Sequence, residues 1–460
     1  MQGIAGPAQV KWHMVTIEDF VPADHFLRKL EAALDLSFVY EQTMQLYSQK
    51  GRPSVDPVML VKYLLLGYLY GIPSERRIEE ECRVNMAYRW YLGLDIGDPV
   101  PDHSTISQNR RRRKSFRKVF RRLFEEVVRR CVEAGLVSGK LIATDSTHVK
   151  ARASRASEYL VEAEEEPGVY WERLDAYEET AQEELERKTG HRGRKRVKQI
   201  KRDRRCTHRQ VSQTDPEAGY LKRPGKPRGM YYLSHQSLDT DHGIILDVPV
   251  TPGDSSDTVP YLDQMEGIHQ KVIPIQTATA DSIYDFSLAH QVLEEQNITF
   301  YVRPIKQHDQ TSVAFGKELF SYDSAKDVYS CPNGKELRLS TLDRSSSSLR
   351  WVYSADRADC QSCPLQTQCL NRSRKSGARQ LERNIFEPAV RRGHDRAGTP
   401  DWLHAMRLRQ IWCEGTFATQ KWSHNLTRVL RRGLEAAEDH CLLSATALNL
   451  KRMIRCLGSV

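Results

Sequence analysis

Residues 140–149 read KLIATDSTHV and residues 274–281 read PIQTATAD. Both segments are apolar and rich in β-branched residues, which predicts two buried strands. Each apolar run closes on an aspartate, Asp145 in the first and Asp281 in the second. Aspartate also favours the turns that follow strands, so either residue alone has a plain structural explanation. Together they predict that two carboxylates stand on rigid strands of one sheet.

The sequence around these strands alternates between strand and helix signals. Two further strands, joined by a hairpin at residues 239–243 (DTDHG), precede a helix, the 274–281 strand, a second helix and a last strand, ITFYVRPI. This order over residues 140–305 predicts an α/β fold with a mixed sheet flanked by helices, the RNase H-like arrangement.

Composition divides the chain into four predicted parts. Residues 1–135 are predicted to be all-helical, and residues 136–305 to form the α/β core, with a charged helical insert at 156–210. Residues 306–400 look irregular and contain a cysteine cluster, and residues 401–460 are predicted to be helices that complete the core. Within the first part, residues 74–93 are predicted to form one helix that begins after the capping residue Ser74.

Positive charge is concentrated in two places. The net charge is +9, yet residues 187–209 hold twelve Lys and Arg against one acid, and residues 110–114 read RRRRK. Clustered charge of this kind suits a polyphosphate partner; a solvated helix face or an address tag is the alternative. The candidate DNA contacts in these clusters are Arg110, Arg111, Arg112, Arg113, Arg194, Lys195 and Arg196.

Other classes of protein fit the sequence poorly. The longest apolar run, residues 63–72, has ten residues and is too short to span a bilayer. The first residues lack the charged start and apolar stretch of a secretory signal. We therefore expect a soluble, cytoplasmic protein, in which ten cysteines do not indicate a disulfide framework.

A third acid is predicted in the C-terminal helices. Arg407, Glu414 and Lys421 recur every seven residues, so a regular helix would carry them on one face. Such a stripe could ligate metal through Glu414 and contact phosphate through its two cations, or it could be an ordinary exposed, ion-paired face. Three converging carboxylates would suit two Mg²⁺ or Mn²⁺ ions about 3.5–4 Å apart.

Three blocks of the sequence resemble the active-site blocks of the DDE transposases of bacterial insertion sequences. They are ATDSTHVKARAS, TATADSIYDF and CEGTFATQKWSHNLTRVLRRG, and they occur in the family's order. The segments PVMLVKYLLLGYLYG, SERRIEEECRVNMAYRWYLG and PDHSTISQNRRRRK are similar to the InsH-type N-terminal domain of that family. The resemblance implies an RNase H-like catalytic domain with Asp145, Asp281 and Glu414 as the metal-binding triad.

The chain departs from the family pattern next to Glu414. Many relatives carry Tyr and Arg upstream and Lys downstream; here Lys421 matches, while Arg407 and Gln410 stand at the upstream positions. Arg407 or Arg409 is the candidate replacement for the missing cation. Glu414 is therefore the least secure of the three acids, and Asp401 is the alternative to it.

Other side chains near these blocks have both structural and functional interpretations. His148 and His235 are predicted to be structural, as is His424, although His424 lies where it could reach phosphate. Trp412 and Trp422 flank Glu414, and we expect them to pack in the core rather than stack on an unpaired base.

Four cysteines lie close together in the sequence, Cys331, Cys360, Cys363 and Cys369. Four thiolates suit tetrahedral zinc, which would fold a segment that is poor in apolar residues. Since only one pair has the Cys-x-x-Cys spacing, free thiols remain an equal alternative.

The resemblance implies a transposase that cuts DNA at the terminal inverted repeats of its element and joins the released 3′-hydroxyl to target DNA. A homodimer on DNA is expected, because two ends must be brought together. The alternatives are a nuclease of the same fold without strand transfer and a catalytically silent DNA-binding regulator.

Overall fold

The computed structural model describes residues 14–46, 54–112, 116–164, 170–190, 206–305, 315–344, 348–370 and 377–458. The α-helices in these ranges are α1 Phe26–Ala33, α2 Phe38–Thr43, α3 Pro57–Leu69, α4 Glu75–Val84, α5 Met86–Leu92, α6 His103–Arg112, α7 Phe116–Glu133, α8 Trp171–Thr189, α9 Tyr261–Lys271, α10 Ser287–Glu295, α11 Arg357–Gln361, α12 Gln366–Cys369, α13 Glu387–Asp395, α14 Pro400–Arg409, α15 Gly415–Ser423 and α16 Leu434–Leu457. A π-helical turn, Gln410–Glu414, joins α14 to α15.

The strands are β1 Ile142–Lys150, β2 Glu158–Glu164, β3 Cys206–Ser212, β4 Gly219–Leu221, β5 Gly229–Asp239, β6 Ile245–Asp247, β7 Val250–Pro252, β8 Thr277–Thr279, β9 Thr299–Tyr301, β10 Ser321–Asp323, β11 Val328–Ser330, β12 Glu336–Arg344, β13 Leu349–Ala355 and β14 Gln380–Asn384. Short 3₁₀ turns occupy Ile17–Phe20, Met44–Leu46, Arg155–Ser157, Ser282–Tyr284 and Lys317–Leu319.

The main sheet has the strand order β4-β5-β1-β8-β9, and β6 and β7 also pair with β5. β1 is antiparallel to β5 along its whole length and parallel to β8, and β8 is parallel to β9. β1 thus has the antiparallel strand β5 on one side and the parallel strand β8 on the other. The predicted α/β class, with an RNase H-like mixed sheet flanked by helices, is confirmed.

The N-terminal helices and the main sheet share one hydrophobic core. It includes residues from Leu27 in α1 to Ile454 in α16. α16 is buried along most of its length and packs against α1, α3, α7, β5 and β7. The amide of Asn449 in α16 accepts a hydrogen bond from Ile245 N (2.9 Å) and donates one to Ile245 O (2.8 Å). α16 therefore joins the two regions, whose division at residue 135 remains a prediction from the sequence.

The single helix predicted over residues 74–93 is in fact two helices, α4 and α5. Asn85 ends α4, and its side chain caps α5 by accepting hydrogen bonds from Ala87 N (3.0 Å) and Tyr88 N (3.2 Å). An asparagine satisfies the free N–H groups of a new helix better than it continues an old one. The apolar periodicity runs through both helices and so hides the break.

The charged insert is only partly helical. α8 matches the prediction, but β2 and β3 pair as an antiparallel ribbon, with Glu158 opposite Ser212 and Glu164 opposite Cys206. The two strands lie more than 40 residues apart in the chain, so a local sequence window sees neither partner. The basic residues Arg194, Lys195 and Arg196, like Arg113, lie outside the described residues.

The segment predicted to be irregular contains a five-stranded antiparallel sheet, β10-β11-β12-β13-β14. Its small core includes Tyr329, Leu337 and Tyr353, and α8 adds Ala181 and Leu185. β10 and β11 have only three residues each, and the longer β12 carries polar residues on its exposed face, so these strands lack the apolar runs by which strands are recognised. The prediction of an irregular segment was therefore wrong.

Among the described residues, no helix is both long enough and apolar enough to cross a membrane.

We expect Asn449→Ala to lower the free energy of unfolding by about 2–4 kcal/mol, because it leaves a buried N–H and a buried carbonyl of β6 without partners. Chemical denaturation followed by fluorescence measures this. Ser444→Ala is the control on the same helix, since the buried Ser444 hydroxyl has no hydrogen-bond partner within the described structure. Equal losses in the two variants would contradict the role of Asn449.

Candidate active site

The register of the main sheet brings Asp145 and Asp281 together. Ala143 on β1 lies opposite Thr279 on β8. Continued by two residues, the same register sets Asp145 opposite Asp281, and neighbouring strands lie about 4.8 Å apart. Both side chains then leave the same face, because side chains alternate along a strand. The two acids thus lie side by side just beyond the end of the parallel pair.

Asp145 is a largely buried carboxylate with one cationic partner. Its side chain is 21% exposed, and its Oδ2 accepts a hydrogen bond from Arg409 Nη1 at 3.1 Å. The pKa of Asp145 is raised from its ordinary 3.8 to about 6, chiefly by burial and in smaller part by the nearby carboxylates of Asp281 and Asp257. The Ser146 N–H and Arg409 lower it, without offsetting the burial. This carboxylate is therefore held in a site that disfavours its charge unless a cation is bound.

Asp281 is fixed by the 3₁₀ turn that follows β8. Its Oδ1 accepts a hydrogen bond from Ile283 N at 2.9 Å and so caps the turn. Burial raises the pKa of Asp281, while the Ile283 N–H and Arg409 lower it. The cap orients one carboxylate oxygen and leaves the other available to a ligand.

A further acid, Asp257, belongs to this group and was missed in the sequence. It lies between β7 and α9, is 5% exposed, and its Oδ2 accepts a hydrogen bond from Arg223 Nη1 at 2.6 Å. Its Oδ1 is buried and has no partner among the described residues. Its charge contributes to the raised pKa values of both Asp145 and Asp281. The sequence offered little signal for it, because Asp257 lies five residues beyond the end of β7 and has no family block around it.

Glu414 ends the π-helical turn, which packs against β1. In a π-turn, residues that are five apart in the sequence lie on the same side of the helix, and such turns are frequent at functional sites. Arg409 and Glu414 are five apart, so the turn disrupts the predicted stripe of Arg407, Glu414 and Lys421. Arg409 is thus the upstream cation that meets the acids, while Arg407 is exposed on α14.

The buried thiol of Cys413 lies among the proposed acids. Burial raises its pKa well above the ordinary value, Asp145, Glu414 and Asp281 raise it further, and Arg409 lowers it. The carboxylate oxygens of the three acids are not all within 4.8 Å of one another. Glu414 is exposed, whereas Asp145 and Asp281 are half-buried.

The residues present fit a divalent metal. Asp145 and Asp281 supply the hard oxygen donors that Mg²⁺ prefers, and their shared burial leaves negative charge that a cation would neutralise. Arg409 already places a guanidinium against Asp145. Asp401, the alternative third acid, lies exposed in the first turn of α14, at the opposite end of that helix from Arg409.

Cations flank the acids on the β1 side. The pKa of His148 is lowered to about 4, chiefly by burial and in smaller part by the positive charges of Lys421, Lys226 and Arg223. Burial, and then Lys226, lower the pKa of Lys421. The structure thus places Lys421 beside the end of β1, apart from Arg407.

The two tryptophans beside Glu414 differ. Trp412 packs against the β5–β6 hairpin, where a side chain at Gly243 would clash with its ring, as expected for a core residue. Trp422 is 91% exposed, so the expectation that it packs in the core was wrong. Its side chain lies on the exposed side of α15, because Thr416 and Gln420 occupy the buried face of that helix.

Two histidines near the site are structural, as predicted. His235 is buried, and its Nε2 is 2.8 Å from Thr251 Oγ1. His424 is buried as well, with its Nδ1 2.7 Å from the carbonyl oxygen of Tyr68. Neither side chain is available to a phosphate.

The remaining predicted residues fall in two regions. Arg110, Arg111 and Arg112 lie in the last turn of α6, on the N-terminal side of the molecule. Cys331, Cys360, Cys363 and Cys369 line one small cavity of the five-stranded sheet.

Two sequence families match the chain. The family described as Transposase domain (DUF772) matches residues 15–112, and the family described as Transposase DDE domain matches residues 330–454. The second match includes Glu414 and ends in α16, while Asp145 and Asp281 precede it. No curated protein matches the chain.

One solved structure to which the chain is similar is a piggyBac transposase synaptic complex with hairpin DNA. The identity is 10% and the TM-score 0.33, over 96% of this chain and 75% of that one.

We expect Asp145→Asn to stabilise the metal-free protein by about 1–2 kcal/mol near pH 8. Because the folded-state pKa of Asp145 is about 6 and its ordinary value is 3.8, the folded protein binds the proton more tightly, and ionisation costs up to about 3 kcal/mol. The lost ion pair with Arg409 offsets part of this gain. Urea unfolding with EDTA measures it.

The gain should shrink as the pH falls through 6 and vanish near pH 4, where wild-type Asp145 is protonated in the folded state. Asp241→Asn, an exposed change of the same charge in the β5–β6 turn, should show no such trend. A destabilised or pH-independent Asp145→Asn variant would contradict the assignment.

Proposed function

Since the chain belongs to the DDE transposases, we propose that Asp145, Asp281 and Glu414 are its three catalytic acids. The enzyme cleaves DNA and transfers the cut strand. The observation that supports these residues most is the β1–β8 register, which brings two half-buried aspartates side by side, with the π-turn that carries Glu414 packed against β1. Asp257 is a fourth acid in the same electrostatic environment.

Enzymes of this family use divalent metal ions, and we propose two Mg²⁺ ions, or Mn²⁺, held by the three acids. When bound, the ions would activate the attacking oxygen and stabilise the leaving one. The protein supplies rigidity: β1 holds Asp145, and the cap on Ile283 N holds Asp281. No side chain need form a covalent bond to DNA, since the released 3′-hydroxyl is itself the next nucleophile.

Arg409 is proposed to have two roles. In the described structure its Nη1 neutralises Asp145 at 3.1 Å, while its Nε is buried and has no partner there. Once metal neutralises Asp145, the guanidinium would be free to bind a phosphate of the scissile strand. In this way one side chain would keep the acids ionised and position the substrate.

The DNA-binding surface is proposed to include Arg407, Lys421 and the basic residues at 110–113 and 194–196. The exposed indole of Trp422 follows Lys421 directly, so an unpaired base could stack there while the cations bind its backbone. The DNA would be the terminal inverted repeats of the element and the target. A homodimer on DNA is proposed, because two ends must meet for strand transfer.

Asp281→Asn is expected to abolish both cleavage and joining, by at least about a hundredfold, since even the outer partners of metal ligands cost 10- to 100-fold. Labelled DNA carrying the ends of the element, with a target plasmid and Mg²⁺, gives the readout. Asp241→Asn is the matched control and should retain activity.

The same assay identifies the third acid and the reaction class. Glu414→Gln should be inactive, and Asp401→Asn and Glu183→Gln, both exposed, should be active; an inactive Asp401→Asn with an active Glu414→Gln would replace Glu414. Wild-type cleavage without joined products would indicate a nuclease. Tight, specific binding without cleavage would indicate a regulator.

Arg409→Gln is expected to move the acidic limb of the cleavage pH profile to higher pH by about one unit, because Arg409 lowers the pKa of Asp145. Arg409→Lys keeps the positive charge and should therefore show a smaller shift than Arg409→Gln. Arg407→Gln removes the same charge two residues away on the exposed side of α14. Equal shifts in both glutamine variants would show that net charge, and not the contact with Asp145, is responsible.

A further inference from the structure

Two separate turns of the five-stranded sheet bring four cysteines together. Cys331 follows β11 in the turn to β12, and Cys360, Cys363 and Cys369 lie on α11, α12 and the link between them. All four line one cavity of about 30 Å³. The thiols are free, as are the other cysteines whose side chains the structure describes.

Hydrogen-bond donors point at the sulfur atoms. Lys335 N donates to Cys331 Sγ at 3.4 Å, and Arg379 N donates to Cys360 Sγ at 3.5 Å. Asn333 Nδ2 donates to Cys363 Sγ at 3.6 Å. A thiol is a weak acceptor, whereas a thiolate is a strong one, and metal-bound thiolates are stabilised by such donors. The donors thus suit thiolates better than thiols at three of the four cysteines, Cys331, Cys360 and Cys363.

Positive charge lies beside the same cavity. Lys335 and Arg379 both line it, as does Asp359, which pairs with Lys335 Nζ at 2.8 Å. Arg379 is held in place by hydrogen bonds to Cys369 O (3.2 Å) and Phe315 O (3.0 Å). Four thiolates around a divalent ion carry a net charge of about −2, and Arg379 would offset part of it.

The local core is too small to explain these turns by itself. It consists of a few apolar residues on one face of the sheet, with Cys331 and Cys369 packed at its margin. No three of the four sulfurs lie within 4.8 Å of one another. An ion would therefore draw the two turns together and fix the end of the sheet.

We propose that Cys331, Cys360, Cys363 and Cys369 bind one structural Zn²⁺. Thiolates are soft ligands that prefer zinc to the Mg²⁺ or Mn²⁺ of the catalytic acids. The ion would stabilise the five-stranded sheet, on which Ala181 and Leu185 of α8 pack. Its role is separate from catalysis, so the proposal stands or falls independently of the DNA assay.

The test is elemental analysis of the full-length protein, purified without chelators. We expect about one zinc per chain in the wild type and less than half in Cys363→Ser, whose melting temperature should also fall. Cys456→Ser is the control: Cys456 is a partly exposed, free cysteine on α16, outside the cavity, and its variant should keep both zinc and stability.

A second measurement does not depend on how well a variant folds. Wild-type protein that is stripped of metal and loaded with Co²⁺ should show the intense visible bands of a tetrahedral cobalt thiolate. It should lose them on acidification, because the ligands must be deprotonated. Less than about half an equivalent of zinc together with a colourless cobalt sample would overturn the proposal, as would equal zinc in Cys363→Ser and wild type.

Discussion

The rest of the structure depends on the parallel pairing of β1 with β8. It sets Asp145 beside Asp281 in a partly desolvated site, where each charge opposes the other. Two crowded carboxylates are unfavourable for the fold and favourable for a bound cation. Burial and function therefore pull in opposite directions at this point, as is common where proteins retain local strain for chemistry.

The surrounding elements make this arrangement rigid. β5 pairs with β1 over its full length, so the strand that carries Asp145 cannot shift. α14 is anchored to the end of β9 by a hydrogen bond from Trp402 Nε1 to Val302 O at 2.9 Å. Arg409, the last residue of α14, donates a hydrogen bond to Asp145, and α16 packs against β5 and β7 of the sheet.

The five-stranded sheet is a different kind of structure. It is built from neighbouring strands in sequence order and packs on α8 through a small core. Ion pairs connect α8 to both sides, from Arg344 of β12 to Asp175 and from Arg173 to Glu266 of α9 (2.6 Å). α8 therefore links the second sheet to α9, which flanks the main sheet, and the basic residues 191–205 follow α8 in the sequence.

The sequence by itself was sufficient for the mixed sheet and for an aspartate at the end of each of two apolar strands, because these are local patterns. The class of enzyme followed from the resemblance of three sequence blocks to a known family. The sequence was not sufficient for the β2–β3 ribbon, whose strands are distant from each other in the chain, or for the second sheet, whose strands are largely polar.

Only the tertiary structure decided which cation meets Asp145, that Asp257 joins the acids, and that Trp422 faces solvent. Each of these features depends on the three-dimensional arrangement of the chain. A π-turn changes the helical phase by about one residue, and the field at a buried carboxylate depends on groups that fold beside it from remote parts of the chain.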